Sequence, residues 1–254
     1  MAINVLILMA GSDEVFREAG YAYPKNLIEI NGKPLVERVI RSFDGLAAQG
    51  ARFLFLIRQS EIQKHHTASV VRLLVPDAEV IPIPGDTAGA ACTALWAIDQ
   101  INNDTPLLIT NGDQILEIDY PESIAGFSSE GVDGGVLGFE AVHPRWSYVK
   151  VNASGFVIEA AEKRPISRLA TAGTYYFKRG RDFVTAAQRM ILKDAHVDGV
   201  FYICPVFNEM ILEQASILAR SISQDTYFQF KTPRGLQEYE SLLRDRMRAG
   251  RGEL

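Results

Sequence analysis

Four short apolar runs, spaced by segments of helical periodicity, constrain this chain more than any other feature. Residues 4–10 read Asn-Val-Leu-Ile-Leu-Met-Ala, 52–57 Arg-Phe-Leu-Phe-Leu-Ile, 79–83 Glu-Val-Ile-Pro-Ile and 106–110 Pro-Leu-Leu-Ile-Thr. Continuous apolar runs of this length suit strands buried on both faces, as in a parallel sheet. Between them, Pro34 opens a segment with apolar residues at 35, 36, 39, 40, 43 and 46, and Gly50 supplies its stop. That three-and-four spacing predicts a helix. Further helices are expected from about 60 to 74 and from 89 to 101. A βαβαβαβ alternation calls for a doubly wound parallel sheet.

The second half reads differently. Short strands are expected at 134–140, 148–151, 157–161 and 171–177, separated by turn residues, which suits a mixed sheet with hairpins. Helices are expected near 181–192, 205–214 and 233–247. No repeat, low-complexity tract or linker divides the 254 residues, so one continuous domain over 1–254 is expected. Exposed faces of the last helix leave room for a homo-oligomer.

Composition narrows the function classes. Twenty-six Lys and Arg against 31 Asp and Glu leave a net charge of −5, unsuited to gripping a nucleic-acid backbone over a broad surface. The apolar run after Asn4 is too short to cross a bilayer and has no basic segment before it, so a cytoplasmic protein without a membrane partner is expected. Cys92 and Cys204 form no CxxC pair, which argues against a disulfide framework or structural zinc.

Ligands of open α/β sheets bind beyond the carboxyl ends of the strands. Two breaks fall there: Gly11-Ser-Asp-Glu14 after the first run and Asn111-Gly-Asp113 after the fourth. A carboxylate at the end of a buried strand suits a hydrated Mg²⁺, which needs few protein ligands, and equally suits capping of the next segment. Lys25 after Pro24, and Lys163 in Glu162-Lys-Arg-Pro165, bring compact positive charge of the kind that meets phosphate. His65-His66 lies within an expected helix without acidic or Cys partners at ligand spacing.

Taken in order, Leu8-Met-Ala-Gly11, Ala19-Gly-Tyr-Ala-Tyr-Pro-Lys-Asn-Leu-Ile28, Gly32-Lys-Pro-Leu35, Gly89-Ala-Ala-Cys-Thr93, Pro106 to Gln114, His143-Pro-Arg-Trp-Ser147, Ala161 to Ser167 and Phe201 to Asn208 carry a family likeness. The chain resembles the sugar-phosphate nucleotidyltransferases, or NDP-sugar pyrophosphorylases, and within them the branch found with capsule and surface-polysaccharide synthesis. The resemblance implies a GT-A-like, Rossmann-related α/β fold with a mostly parallel sheet and a mixed C-terminal part. It implies attack of a phosphorylated acceptor, such as a sugar 1-phosphate, on the α-phosphorus of an NTP with release of pyrophosphate.

By that resemblance Ala10, Gly11, Gly89 and Ala90 would line the nucleotide, and Lys25 would neutralise its phosphates. Asp113 would hold Mg²⁺. Glu162 would accept hydrogen bonds from acceptor hydroxyls, Lys163 would pair with the acceptor phosphate, and Gly173 would leave room for the acceptor. Asp113→Ala is expected to abolish turnover and leave the fold intact.

The chain also departs from the family pattern. Where the donor loop normally reads G-x-G-x-R, Asp13 stands at the second glycine and Val15 at the arginine. Asp13 and Glu14 either bind a metal with the triphosphate, face solvent while Lys25 and Arg17 neutralise, or mark a donor site altered beyond the usual reaction. Near the C-terminus a D-x-G-T-P pattern becomes Gln229-Phe-Lys-Thr-Pro233, which removes a second metal carboxylate and leaves Asp225 as a substitute. The competing readings are a GT-A glycosyltransferase, which would call for D-x-D where this chain has Asn111-Gly-Asp113, and a non-catalytic nucleotide- or sugar-binding relative.

Overall fold

The computed structural model describes residues 3–249. At its centre is a nine-stranded sheet. In chain order the strands are β1 Asn4–Leu8, β2 Arg52–Arg58, β3 Glu79–Ile83, β4 Leu107–Asn111, β5 Gly134–Glu140, β6 Ser147–Val151, β7 Val157–Glu162, β8 Leu169–Phe177 and β9 Ile217–Ser221. In space they run β7-β6-β8-β4-β1-β2-β3, with β5 against β8 and β9 against β5. Strands β3, β2, β1 and β4 are mutually parallel. Beyond β4 the pairing is mixed: β8 is antiparallel to β4, β5 and β6, β6 to β7, and β9 runs parallel to β5. This is the expected Rossmann-related α/β sheet, parallel first and mixed afterwards.

The apolar runs are continuous because both faces are covered. Val5 and Ile7 of β1, with Phe53, Phe55 and Ile57 of β2, enter one core layer; Leu6, Leu8, Leu54 and Leu56 enter the other. The first layer is closed by the helices Leu35–Arg41, Thr67–Leu74, Tyr120–Ser129 and Pro233–Arg248. The second is closed by the segment 90–101 and the helices Gly180–Leu192 and Val206–Leu212. Period-two side-chain alternation thus sends adjacent residues of one strand into different cores. No helix among the described residues is long and apolar enough to cross a membrane.

Three expected helices are broken. The segment from Pro34 stops at Arg41 and resumes as Asp44–Ala48, with buried Phe43 packed against Tyr120 at 4.5 Å between ring centroids. The 60–74 segment divides at His66, whose left-handed backbone (φ 55°) separates Gln59–His65 from Thr67–Leu74. Residues 90–101 form two α-helical pieces joined by a 3-10 turn, Leu95–Ala97. Tertiary packing overrides local periodicity at these joints.

The structure adds elements that the apolar pattern missed. Helix Tyr120–Ser129 starts at Asp119, whose carboxylate accepts from the Glu122 N–H at 2.8 Å, with Pro121 in its first turn. Strand β9 extends the mixed side. A short antiparallel ribbon pairs Gln114–Leu116 with Tyr227–Gln229, carrying a C-terminal segment back to the end of β4.

Strand order places the functional crevice. The chain proceeds from β1 outward through β2 and β3, then returns to lay β4 on the opposite side of β1. That reversal is a topological switch point, where the loops leaving the two strands diverge and leave a cleft. Leu8 and Asn111 are paired at the two strand ends. The Gly112 N–H donates to the Leu8 carbonyl at 2.8 Å, and a Cβ on Gly112 would stand 2.3 Å from Met9 Cγ.

Candidate functional site

The floor of the crevice is an ion pair between residues 88 apart in sequence. Pro24 turns the chain into the 3-10 segment Lys25–Leu27, and Lys25 is 4% exposed. Its Nζ donates to Asp113 Oδ2 at 2.8 Å. A Cβ on Gly11 would lie 2.9 Å from that same Nζ, so a larger residue there would push on the lysine's paired end. Burial alone would push the Asp113 carboxyl up, but the ammonium groups of Lys25 and Lys231 outweigh it and hold the carboxyl below its usual range.

Asp13 and Asn26 brace this floor. The Asp13 carboxylate accepts from the Lys25 backbone N–H at 3.3 Å, whereas Glu14 and Val15 are exposed. Asn26 donates its amide to both oxygens of buried Glu61, at 3.0 and 3.1 Å, and Thr67 donates its hydroxyl to Glu61 at 3.0 Å. Burial raises the Glu61 carboxyl, partly offset by those donors.

Above the floor lies a cavity of about 250 Å³ whose walls include Ala10, Gly11, Gly89, Ala90, Asn111 and Asp113. Gly89 has φ 121°, and a Cβ there would come within 2.4 Å of the Phe201 carbonyl oxygen. The surrounding backbone is stitched to the 201 segment: Phe201 N–H donates to Ala88 at 2.7 Å and Ala91 N–H to Phe201 at 3.0 Å. The hydroxyls of Thr87 and Thr93 donate to the Gly89 carbonyl at 3.2 and 3.1 Å. Close backbone approach of this kind requires glycine.

A neighbouring cavity of about 170 Å³ is walled by Glu162, Gly173, Trp146, Tyr175 and Tyr202 among others, and shares Ala90, Asn111 and Lys231 with the first. Gln114 organises its base. The Gln114 amide donates to the Ala172 carbonyl at 2.9 Å and to the hydroxyls of Thr110 and Thr174 at 3.2 and 3.1 Å. Its oxygen accepts from Asn111 and from the Tyr227 hydroxyl, both at 3.3 Å. Gly173 has φ 64°, and a Cβ there would press on this amide at 2.6 Å. The Ser147 hydroxyl donates to Glu162, whose carboxyl is raised by burial against the pull of that bond and of Lys231 and Lys163.

The structure therefore groups Ala10, Gly11, Gly89, Ala90 and Asp113 around one cavity, with Lys25 paired to Asp113 beneath it. Glu162 and Gly173 are brought to the adjoining one. Lys163 stands apart: it is exposed, has φ 53° at the turn after β7, and holds its Nζ 5.3 Å from the centre of the Tyr202 ring. Tyr202 lines the second cavity; Lys163 is not among the residues that wall it. Asp225 lies in an exposed 3-10 turn and walls neither cavity. His65 packs edge-on to Tyr23.

Sequence reasoning passed over Lys231. Phe230 N–H donates to the Asp113 carbonyl at 2.8 Å, and this bond sets the next residue, Lys231, beside both cavities. The signal was present in Gln229-Phe-Lys-Thr-Pro233, where the lost carboxylate at Gln229 drew attention from the lysine two residues on. Among the described residues no group of three or more His, Cys, Asp or Glu is placed to hold a metal ion. Asp113 walls the first cavity beside Asn111, which both cavities share, and Gln229 walls the second. Such a set fits Mg²⁺ only where water and substrate phosphate supply most of its shell.

Comparisons with known proteins bear on the fold and the family. The family model described as nucleotidyl transferase matches residues 4–199. The bifunctional protein GlmU of Methanocaldococcus jannaschii is 24% identical over 215 residues, which cover 78% of this chain and 49% of that protein. The chain thus spans about half the length of the curated relative it matches. A solved nucleoside-diphosphate-sugar pyrophosphorylase from Vibrio cholerae RC9 superposes with a TM-score of 0.82 at 26% identity, over 93% of this chain and 99% of that one. A Bacillus anthracis protein solved under the name glucose-1-phosphate thymidylyltransferase shares the fold, with a TM-score of 0.72 at 20% identity over 96% of each chain.

Proposed function

We propose that this chain, which belongs to the nucleotidyl transferase family, moves a nucleotidyl group from a nucleoside triphosphate to a phosphorylated acceptor of the sugar 1-phosphate type. An acceptor phosphate oxygen forms a bond to the α-phosphorus, the bond from that phosphorus to the bridging oxygen of the β-phosphate breaks, and pyrophosphate leaves with the electron pair. The observation that carries this reading is the pair of cavities that share Ala90, Asn111 and Lys231, with Asp113 in the wall of the first and Glu162 in the wall of the second.

In this reading the first cavity takes the nucleotide. Small residues at Ala10, Gly11, Gly89 and Ala90 let backbone approach the base and ribose. Lys25 and Lys231 place positive charge where negative charge builds on the phosphates, and both are positioned before substrate arrives, which is how fixed charges lower a barrier. Mg²⁺, with Asp113 as its protein ligand, would neutralise phosphate charge and align the reacting oxygens when bound. On the acceptor side Glu162 accepts from hydroxyls and Gly173 leaves space, while Lys163 assists from the rim through Tyr202. The surface-polysaccharide likeness of the motifs makes an activated glycan precursor the product of choice.

Incubation with each NTP, Mg²⁺, inorganic pyrophosphatase and a panel of sugar phosphates tests this directly. Acceptor-dependent phosphate release is expected. Transfer from a nucleotide sugar without pyrophosphate, or nucleotide binding without turnover across the panel, would overturn it.

A further inference from the structure

Lys231 borders a third space. A groove of about 710 Å³ adjoins the acceptor cavity across a shared wall of Arg145, Trp146, Tyr227, Gln229 and Lys231. A volume of that size belongs to the range that holds a whole small-molecule ligand. The acceptor cavity therefore has a second, larger space beside it, bordered by the same five residues.

The charges around the three spaces are unequally matched. Lys25 pairs with Asp113 at 2.8 Å, Arg58 with Asp86 at 2.7 Å and Arg234 with Glu238 at 2.7 Å. Glu162 accepts from Ser147. Arg145 and Lys231 alone among these cations have no carboxylate within 4.0 Å among the described residues. The Arg145 guanidinium lies 4.4 Å from the centre of the Trp146 ring, a stacking that steadies its planar fork at the boundary. Lys231 acts on Asp113 and Glu162 only at longer range. In a chain of net charge −5, two cations without a direct ion pair thus border one junction and favour an anionic ligand there.

Lys231 borders the donor cavity and accounts for a reacting phosphate; Arg145 does not border it. The geometry points to an acceptor with two anionic groups: the reacting phosphate at Lys231 and a second carboxylate or phosphate held by Arg145. The ring between them lies along Trp146 and Tyr227. An arginine fork suits such a group because it can donate two parallel hydrogen bonds to it. This inference rests on the nucleotidyl-transfer reading for which phosphate reacts, and on the two cavities for the second anion.

Calorimetric titration of the full chain with glucose 1-phosphate, glucuronic acid 1-phosphate and glucose 1,6-bisphosphate tests it without requiring turnover. One of the two doubly anionic probes is expected to bind about tenfold tighter than glucose 1-phosphate, as charge-assisted bidentate bonding implies. Which of the two leads tells carboxylate from phosphate. Arg145→Gln should bring the Kd values together, and Arg145→Lys should keep part of the preference. Equal binding of all three probes, binding of none, or a preference that survives Arg145→Gln overturns the inference. A preference that depends on Arg145, with no NTP yielding pyrophosphate, would instead sink the nucleotidyl-transfer reading and leave the second-anion site standing.

Discussion

The donor side of the crevice is shaped by backbone and the acceptor side by side chains. On the parallel side, backbone excludes a Cβ at Gly89, which would stand 2.4 Å from the Phe201 carbonyl oxygen, while a Cβ on Gly11 or Gly112 would meet the side-chain atoms Lys25 Nζ or Met9 Cγ. Across the crevice the walls include Glu162, Trp146 and Tyr227, carried by mixed strands and the C-terminal ribbon, with Gln114 buried behind them. Backbone recognition depends on chain path and resists change, whereas side chains can be exchanged on a constant scaffold. On the proposed reading, the difference makes nucleotide handling and acceptor choice separable.

Asp113, in the wall of the first cavity and paired with buried Lys25, gives the largest expected effect. Asp113→Asn should lower kcat by roughly a thousandfold, the scale of removing a preorganised electrostatic group. The fold is expected to stay intact, but the buried ion pair adds a stability cost to the loss of this carboxylate. Lys25 would remain buried without its partner, at a cost of about 3–5 kcal/mol. Thermal unfolding should show a clear drop in Tm, and adding Lys25→Met should recover much of it without restoring turnover. An unchanged Tm in the single variant would mean that the pair contributes nothing to the fold.

The two sides can then be set against each other with one substitution. Gly89→Ala places a Cβ against backbone that two hydrogen bonds hold in place, and should cost about 3 kcal/mol in urea denaturation. Gly173→Ala meets the Gln114 side chain, which can turn aside, and should cost about 1–2 kcal/mol for its left-handed backbone. Its main consequence should be a raised acceptor KM with the NTP KM little altered. If both alanines act alike on stability and on both substrates, the contrast between backbone and side-chain walls is wrong.

Glu162 offers the smallest effect and a sign that can be checked. Burial raises its carboxyl, with Ser147, Lys231 and Lys163 opposing. A group whose folded pKa exceeds its unfolded value, about 4.3 for glutamate, supports folding below that pH and loses this contribution as pH rises through the folded value. Glu162→Gln should therefore raise Tm slightly at pH 7, by no more than about 1 kcal/mol of stability. The gain should shrink at pH 4, and acceptor binding should weaken at both. A Tm lower than wild type at pH 7 would show that the ionised carboxylate is stabilising.

Legibility in the sequence followed the physical range of the interaction. The runs at Val5–Leu8 and Phe53–Ile57 announced strands because two-sided burial requires apolar side chains at successive positions. Helix Tyr120–Ser129 carried a readable start in Asp119, Pro121 and Glu122, although its Ser and Gly content hid the apolar stripe. Strand β9, Ile-Leu-Ala-Arg-Ser, had no such signal: its ladder partner is β5, with a single bridge from Leu218 to Phe156 on the other edge, and its later residues are only partly covered.

From local pattern and family likeness, the sequence alone determined the parallel half of the sheet, the glycine positions that let backbone approach a ligand, and Asp113 at the end of a buried strand. Only the tertiary structure decided that Asp113 meets Lys25, that Gln114 gathers four strand-end groups and Tyr227, and that Lys231 stands where the cavities join. Each of those contacts spans residues far apart in the chain, and so depends on strand order and ribbon pairing instead of on neighbours in sequence. A lysine carries the same letter whether it points to bulk water or to a cleft. The Phe230–Asp113 backbone bond, formed only after the C-terminal segment returns to β4, sets Lys231 beside the cleft.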